Sequence, residues 1–167
     1  TVARLSRVGE ERCLPNQAAF AAPLSPHRAA ELEQRSVRPE AILGDLKRYR
    51  QDGPLLVEGA GGLLVPLTRS YTWLEFLRES ALPVLIVARS GLGTINHSLL
   101  TAERLARESI PTVGFIFCGP HNADNVRTVT EFSGLPCVSQ YYYEDGGVLP
   151  ESADPQGLLK KFLGFES

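Results

Sequence analysis

Residues 83–96, Pro83-Val84-Leu85-Ile86-Val87-Ala88 running into Arg89-Ser90-Gly91-Leu92-Gly93-Thr94-Ile95-Asn96, decide the fold. The first six carry the strongest strand signal in the 167-residue chain. An unbroken apolar run of this kind, bounded by Pro83 and a glycine-bearing turn, reads as a strand. The run enters a glycine-bearing turn and then a helix reaching about Glu108, with Leu99, Leu100, Ala102, Leu105 and Ala106 as its apolar face. Ile110-Pro111 ends that helix, and Val113-Gly114-Phe115-Ile116-Phe117-Cys118 reads as the next strand. Strand, helix, strand at this spacing is a parallel crossover unit.

Upstream of that unit, Leu55-Leu56-Val57 reads as a short buried strand ending in Glu58-Gly59-Ala60-Gly61-Gly62. Helical stripes are expected over Ala29–Arg35, Pro39–Arg50 (Ile42, Leu43, Leu46 and Tyr49) and Thr72–Ser80, with Phe20–Pro26 as a loop. Downstream, Asn122–Phe132 reads as a helix stopped by Gly134, Cys137-Val138-Ser139 as a short, weak strand, and Pro155–Phe162 as a closing helix. The expectation is one α/β domain over residues 1–167, a parallel sheet flanked by helices.

Composition narrows the function. With 43% hydrophobic and 22% charged residues the chain is ordinary globular material, and 17 basic against 19 acidic side chains argue against a nucleic-acid binder working by bulk charge. No apolar run approaches the roughly 20 residues that span a bilayer, and TVARLSRVGEERC has no apolar signal core. Cys13, Cys118 and Cys137 have neither CxxC nor metal spacing. They read as reduced thiols of a cytoplasmic protein with no membrane partner.

Ligands of open parallel sheets gather at the carboxyl ends of the strands. Glu58 with Gly59, Ala60, Gly61 and Gly62 stands at one such end. A carboxylate there suits magnesium, and glycines let a backbone approach phosphate closely; the alternative is a solvated Glu beside a Gly-rich turn. Gly91, Leu92, Gly93, Thr94, Ile95 and Asn96 lead into a helix whose N-terminus would attract a phosphate or carboxylate. The alternative is a loop whose glycines serve only the turn and whose Thr94 caps the helix. Neither segment is a GxGxxG or GxxxxGK[ST] motif. His27, His97, Cys118 and Tyr141-Tyr142-Tyr143 each have a structural reading beside the functional one.

Taken together, Phe20-Ala21-Ala22-Pro23-Leu24-Ser25-Pro26-His27, Val57–Gly62 with Val65-Pro66-Leu67, and Gly91–Asn96 resemble the dethiobiotin synthetase family, over about Thr1–Glu144. The resemblance implies a P-loop nucleotide-hydrolase-like fold and a homodimer. It also implies an ATP- and Mg2+-dependent conversion of 7,8-diaminononanoate and CO2 into dethiobiotin. A carbamate of the substrate amine would attack the γ-phosphate, and the second amine would close the ring and expel phosphate. On this resemblance Glu58 would bind magnesium, and Glu58, Gly59, Ala60 and Gly61 would line the ATP phosphates. Gly91, Leu92, Gly93, Thr94, Ile95 and Asn96 would hold the substrate carboxylate across the dimer. Cys118 and Gly119, with Tyr142, Tyr143 and Glu144, would flank adenine and ribose.

The family usually has Asn at the place of Cys118 and Ile-Pro at the place of Tyr141-Tyr142. Its phosphate loop, its lysines and a metal-binding aspartate are expected upstream of Thr1, so no catalytic lysine is assigned within the chain, which is read as N-terminally incomplete. Other readings are a non-catalytic paralogue, or a partner-completed subunit, that keeps the dimer and the carboxylate site without using ATP alone. A related ligase or amidase is a third.

Overall fold

The computed structural model describes residues 10–50, 53, 55–59, 61–144 and 147–149. It divides into two compact units, Thr1–Gln51 with Val57–Phe76 and Asp52–Leu56 with Leu77–Ser167.

In the first unit a 3-10 turn (Glu10–Arg12) precedes helices α1 (Pro26–Leu32) and α2 (Pro39–Tyr49). Both helices carry Pro in the first turn, where the missing N–H has no intrahelical acceptor to lose. Helix α1 begins three residues before the expected Ala29, because Pro26 is preset for that first turn. The hairpin of β1 (Pro66–Thr68) and β2 (Tyr71–Thr72) packs on α1, and helix α3 (Trp73–Ser80) follows directly, with Trp73–Phe76 in this unit. The hairpin was not expected from the sequence; its strands are too short to show a period. Ala29, Ala30, Val37, Leu46, Leu67, Leu74 and Phe76 are the buried apolar side chains. Arg69 clamps α1 to the hairpin through two bonds, Nε to Glu31 Oε1 at 2.6 Å and Nη2 to Oε2 at 2.7 Å. Those bonds, with a third from Arg28, hold the Glu31 carboxyl down to about 2.

The second unit is built on a four-stranded sheet, β3 (Val84–Arg89), β4 (Thr112–Gly119), β5 (Cys137–Glu144) and β6 (Gly147–Leu149), in that order across the sheet. The first three are parallel, and β6 adds an antiparallel edge. Helices α4 (Thr94–Arg107) and α5 (Ala123–Ser133) pack against each other, and α4 lies on β3 and β4. Phe115 and Phe117, two residues apart on one face of β4, are fully buried and stack at 5.5 Å.

Several expectations change. Leu55-Leu56-Val57 is not a strand, and Leu56 is 83% exposed. No described strand pairs with it, and an extended segment gains ladder hydrogen bonds only from a neighbour. On strand β3 Ile86 is buried while Val87 is exposed. Strand β5 is far longer than Cys137–Ser139, because its parallel partner β4 supplies hydrogen bonds out to Tyr142. The buried stripe of α4 is Thr94, Ser98, Ala102 and Leu105, whereas Leu100 and Ala106 face outward. Two hydroxyls can sit there because Thr94 Oγ1 and Ser98 Oγ bond each other at 3.1 Å. The helix expected over 155–162 lies outside the described residues.

Candidate functional site

In the first unit Glu58 is exposed and Gly59 follows it on the surface, while Ala60 lies outside the described residues. Gly61 has φ +85°, and a Cβ on it would fall 2.9 Å from Val65 Cγ2. That close turn is what a glycine supplies. Among the described residues no three His, Cys, Asp or Glu side chains cluster as a metal cage. Magnesium usually keeps several waters and takes one or two carboxylates plus substrate phosphates, so a single exposed carboxylate beside a glycine turn fits it as a shared metal. The residues present therefore fit Mg2+ bound together with a nucleotide.

In the second unit the segment after β3 is tied to the segment after β4. Ser90 is fully buried; its N–H donates to Cys118 O (3.0 Å) and its hydroxyl to Pro120 O (2.6 Å). Asn125 Nδ2 donates to Ser90 O (2.9 Å) and Gly91 O (3.4 Å). Gly119, at φ +136°, has no room for a Cβ, which would lie 2.8 Å from Ser90 Oγ. These bonds set the start of α4. Its N-cap is Gly93 in the left-handed region (φ 90°), with no side-chain cap, and Thr94 is the first helical residue rather than the cap. The Thr94 hydroxyl is turned to Ser98.

A groove of about 480 Å³ opens along this first turn, lined by Leu92, Gly93, Ile95, Asn96, Leu99, Leu100, Glu103 and Asn125. Four of the six residues singled out in the sequence, Leu92, Gly93, Ile95 and Asn96, line it; Gly91 and Thr94 do not. Leu92 is fully exposed and Leu100 is 56% exposed. Its lining is mostly apolar, with Asn96, Glu103 and Asn125 as the polar side chains and the start of α4 at one end.

Cys118 and Gly119 end β4 and pair in register with Tyr141 and Tyr142, so these residues share one sheet end with Tyr143 and Glu144, which finish β5. Cys118 is a half-buried free thiol. Tyr142 is 8% exposed, its hydroxyl bonds Gln140 Oε1, and its ring lies 4.7 Å from that of His121 at 52°. Burial also pushes the Cys137 thiol up. The sequence reading missed the Ser90–Pro120 and Asn125 bonds. The available signal was a Ser directly after a strong strand and an Asn one turn into the helix after the next strand.

A family model described as an AAA domain matches residues 1–144. The chain is 46% identical to the ATP-dependent dethiobiotin synthetase BioD of Nitrobacter hamburgensis over 131 residues, 78% of this chain and 60% of that protein. It is 36% identical to the protein of the same name from Brucella anthropi over 164 residues, 97% of this chain and 72% of that protein. To the biotin biosynthesis bifunctional protein BioCD of Bordetella avium it is 40% identical over 84% of this chain and 29% of that protein. The chain spans about 60% of the length of the first of these relatives.

Proposed function

Since this chain belongs to the dethiobiotin synthetase family, we propose that it forms the substrate-holding part of an enzyme that closes 7,8-diaminononanoate and CO2 into dethiobiotin at the expense of ATP. The observation that carries this reading is the groove at the start of α4. Its helix N-terminus suits a carboxylate, and Leu92, Ile95, Leu99 and Leu100 suit the aliphatic chain behind it. Gly93 leaves the first turn without a competing side-chain cap.

On this reading Glu58 holds Mg2+ with the nucleotide phosphates, and Gly59, Ala60 and Gly61 line them. The bound metal would supply charge neutralisation at the γ-phosphate. The first turn of α4 orients the substrate by its carboxylate end, and Ser90 and Asn125 keep that turn in place. Cys118, Gly119, Tyr142, Tyr143 and Glu144 flank the base and ribose. The exposed Leu92 and Leu100 suit a second copy of the chain, as a homodimer sharing the substrate would require.

The test is ATP- and CO2-dependent formation of dethiobiotin by the natural full-length polypeptide, with Glu58→Gln expected to slow it at least about 100-fold. Absence of dethiobiotin at saturating diamine and ATP would sink the reading. The half-buried thiol at the end of β4 favours a second one, since sulfur is a weak hydrogen-bond partner for a base edge. That alternative keeps the substrate groove without using ATP. It predicts saturable diamine binding with no nucleotide turnover.

A further inference from the structure

Trp73 is the only tryptophan among these 167 residues, and its placement is over-determined from three sides. It opens helix α3, whose start is closed by a capping box: the Thr72 N–H donates to Glu75 Oε2 at 2.7 Å, the Thr72 hydroxyl bonds the same carboxylate, and the Leu74 N–H donates to Thr72 Oγ1 at 3.2 Å. The Trp73 N–H donates to Val65 O at 3.2 Å. The indole meets the buried Phe76 ring edge to face, centroids 5.3 Å apart.

One face of that indole lies against the backbone of Gly59. A Cβ on Gly59 would sit 3.3 Å from Trp73 Cε2, 3.4 Å from Cδ2 and 3.6 Å from Cζ2. Two residues on, the Gly61 backbone rests as closely on Val65, the residue that Trp73 itself bonds. Gly59 and Gly61 are thus each held by a partner, and the two partners are bonded to each other.

We infer that Trp73 is the positioning residue for Glu58: its indole face seats the Gly59 backbone and so fixes the direction in which the neighbouring carboxylate is presented to Mg2+ and the nucleotide. This rests on the reading of Glu58 as the metal-binding carboxylate. Gly59 and Trp73 then form a matched pair in which neither changes freely. Among the described residues no cluster of metal-ligating side chains surrounds the exposed carboxylate, so the backbone beneath it supplies the aim.

The experiment uses the natural full-length polypeptide and its Trp73→Ala, Trp73→Phe, Gly59→Ala and Glu58→Gln variants. Mg2+ with ATP is titrated by calorimetry, and the emission assigned to Trp73 by difference from Trp73→Phe. The expected result is an emission change on binding that Glu58→Gln abolishes. Affinity for MgATP should fall about tenfold in Trp73→Ala and Gly59→Ala. It should return to within about threefold of wild type in Trp73→Phe, whose ring can still seat the glycine. The KM for the diamine should be unchanged in Trp73→Ala and Trp73→Phe. If Trp73→Ala fails to fold, Gly59→Ala and Trp73→Phe carry the test. MgATP affinity within twofold of wild type in folded Trp73→Ala, or in Gly59→Ala, with Glu58→Gln weakened, would overturn the role of Trp73 and leave Glu58 in place. Unaltered affinity in Glu58→Gln would overturn both.

Discussion

At Gly114 strands β4 and β5 approach so closely that a Cβ would stand 2.4 Å from the Pro136 carbonyl oxygen, at φ +150°. Gly114→Ala should therefore destabilise the chain by about 2–4 kcal/mol, read from the urea midpoint, with both strain and overpacking contributing. Glu31 is a second residue with a directional consequence. Its carboxyl is held down to about 2 by Arg69 and Arg28, against an ordinary value of 4.5. A lowered folded pKa means that the stabilisation is complete above about 4.5 and is lost as pH falls toward 2. The melting-temperature difference between wild type and Glu31→Gln should accordingly be present at pH 6 and vanish near pH 2. An equal difference at both pH values would show that the ion pair is not its source. Neither position stands out in the sequence. Gly114 sits inside an apolar run, and its need for glycine comes from Pro136, 22 positions away.

Where an element's ends are written in local chemistry, the sequence reading located them closely. Helix α5 starts after Asn122, whose side chain accepts from the Asn125 N–H at 3.0 Å, and stops at Gly134, in the left-handed region with its N–H on Thr130 O. Asn122→Ala should cost about 1 kcal/mol in thermal or urea unfolding, with the binding of ATP and diamine little changed. Where an element depends on a neighbour, the reading fell short. Tyr141 and Tyr142 lie beyond the short strand expected over Cys137–Ser139 and join it because Cys118 and Gly119 stand beside them. Leu55–Val57 looks like strand yet has no described partner. In α4, hydrophobicity selected Leu100 and Ala106, whereas the Thr94–Ser98 bond put two hydroxyls on the buried side. The candidate site divides the same way. The glycine turn after Glu58 and the start of α4 are contiguous motifs. Trp73 touches the first from 14 residues away in sequence, and Asn125 bonds the approach to the second from 35 residues away.

On the scale of the whole molecule, the exposed Leu92 and Leu100 beside the groove carry the proposal that two copies share a substrate. Leu100→Glu should then shift the sedimenting species from dimer toward monomer and raise the diamine KM about tenfold. A dimer that persists with an unaltered KM would remove that surface from the reading. Among the described residues no helix is long and apolar enough to cross a membrane. The ties from Ser90 to Pro120 and from Asn125 to Ser90 and Gly91 also bear on how this family could be recombined. A chimera joined between Gly91 and Asn125 would take Ser90 from one parent and Asn125 from the other, so the set forms only where each parent supplies its donor. Joints placed before Val84 or after Asn125 would carry the set over whole. Breeding experiments that splice relatives at random should thus recover functional hybrids whose crossovers avoid that interval.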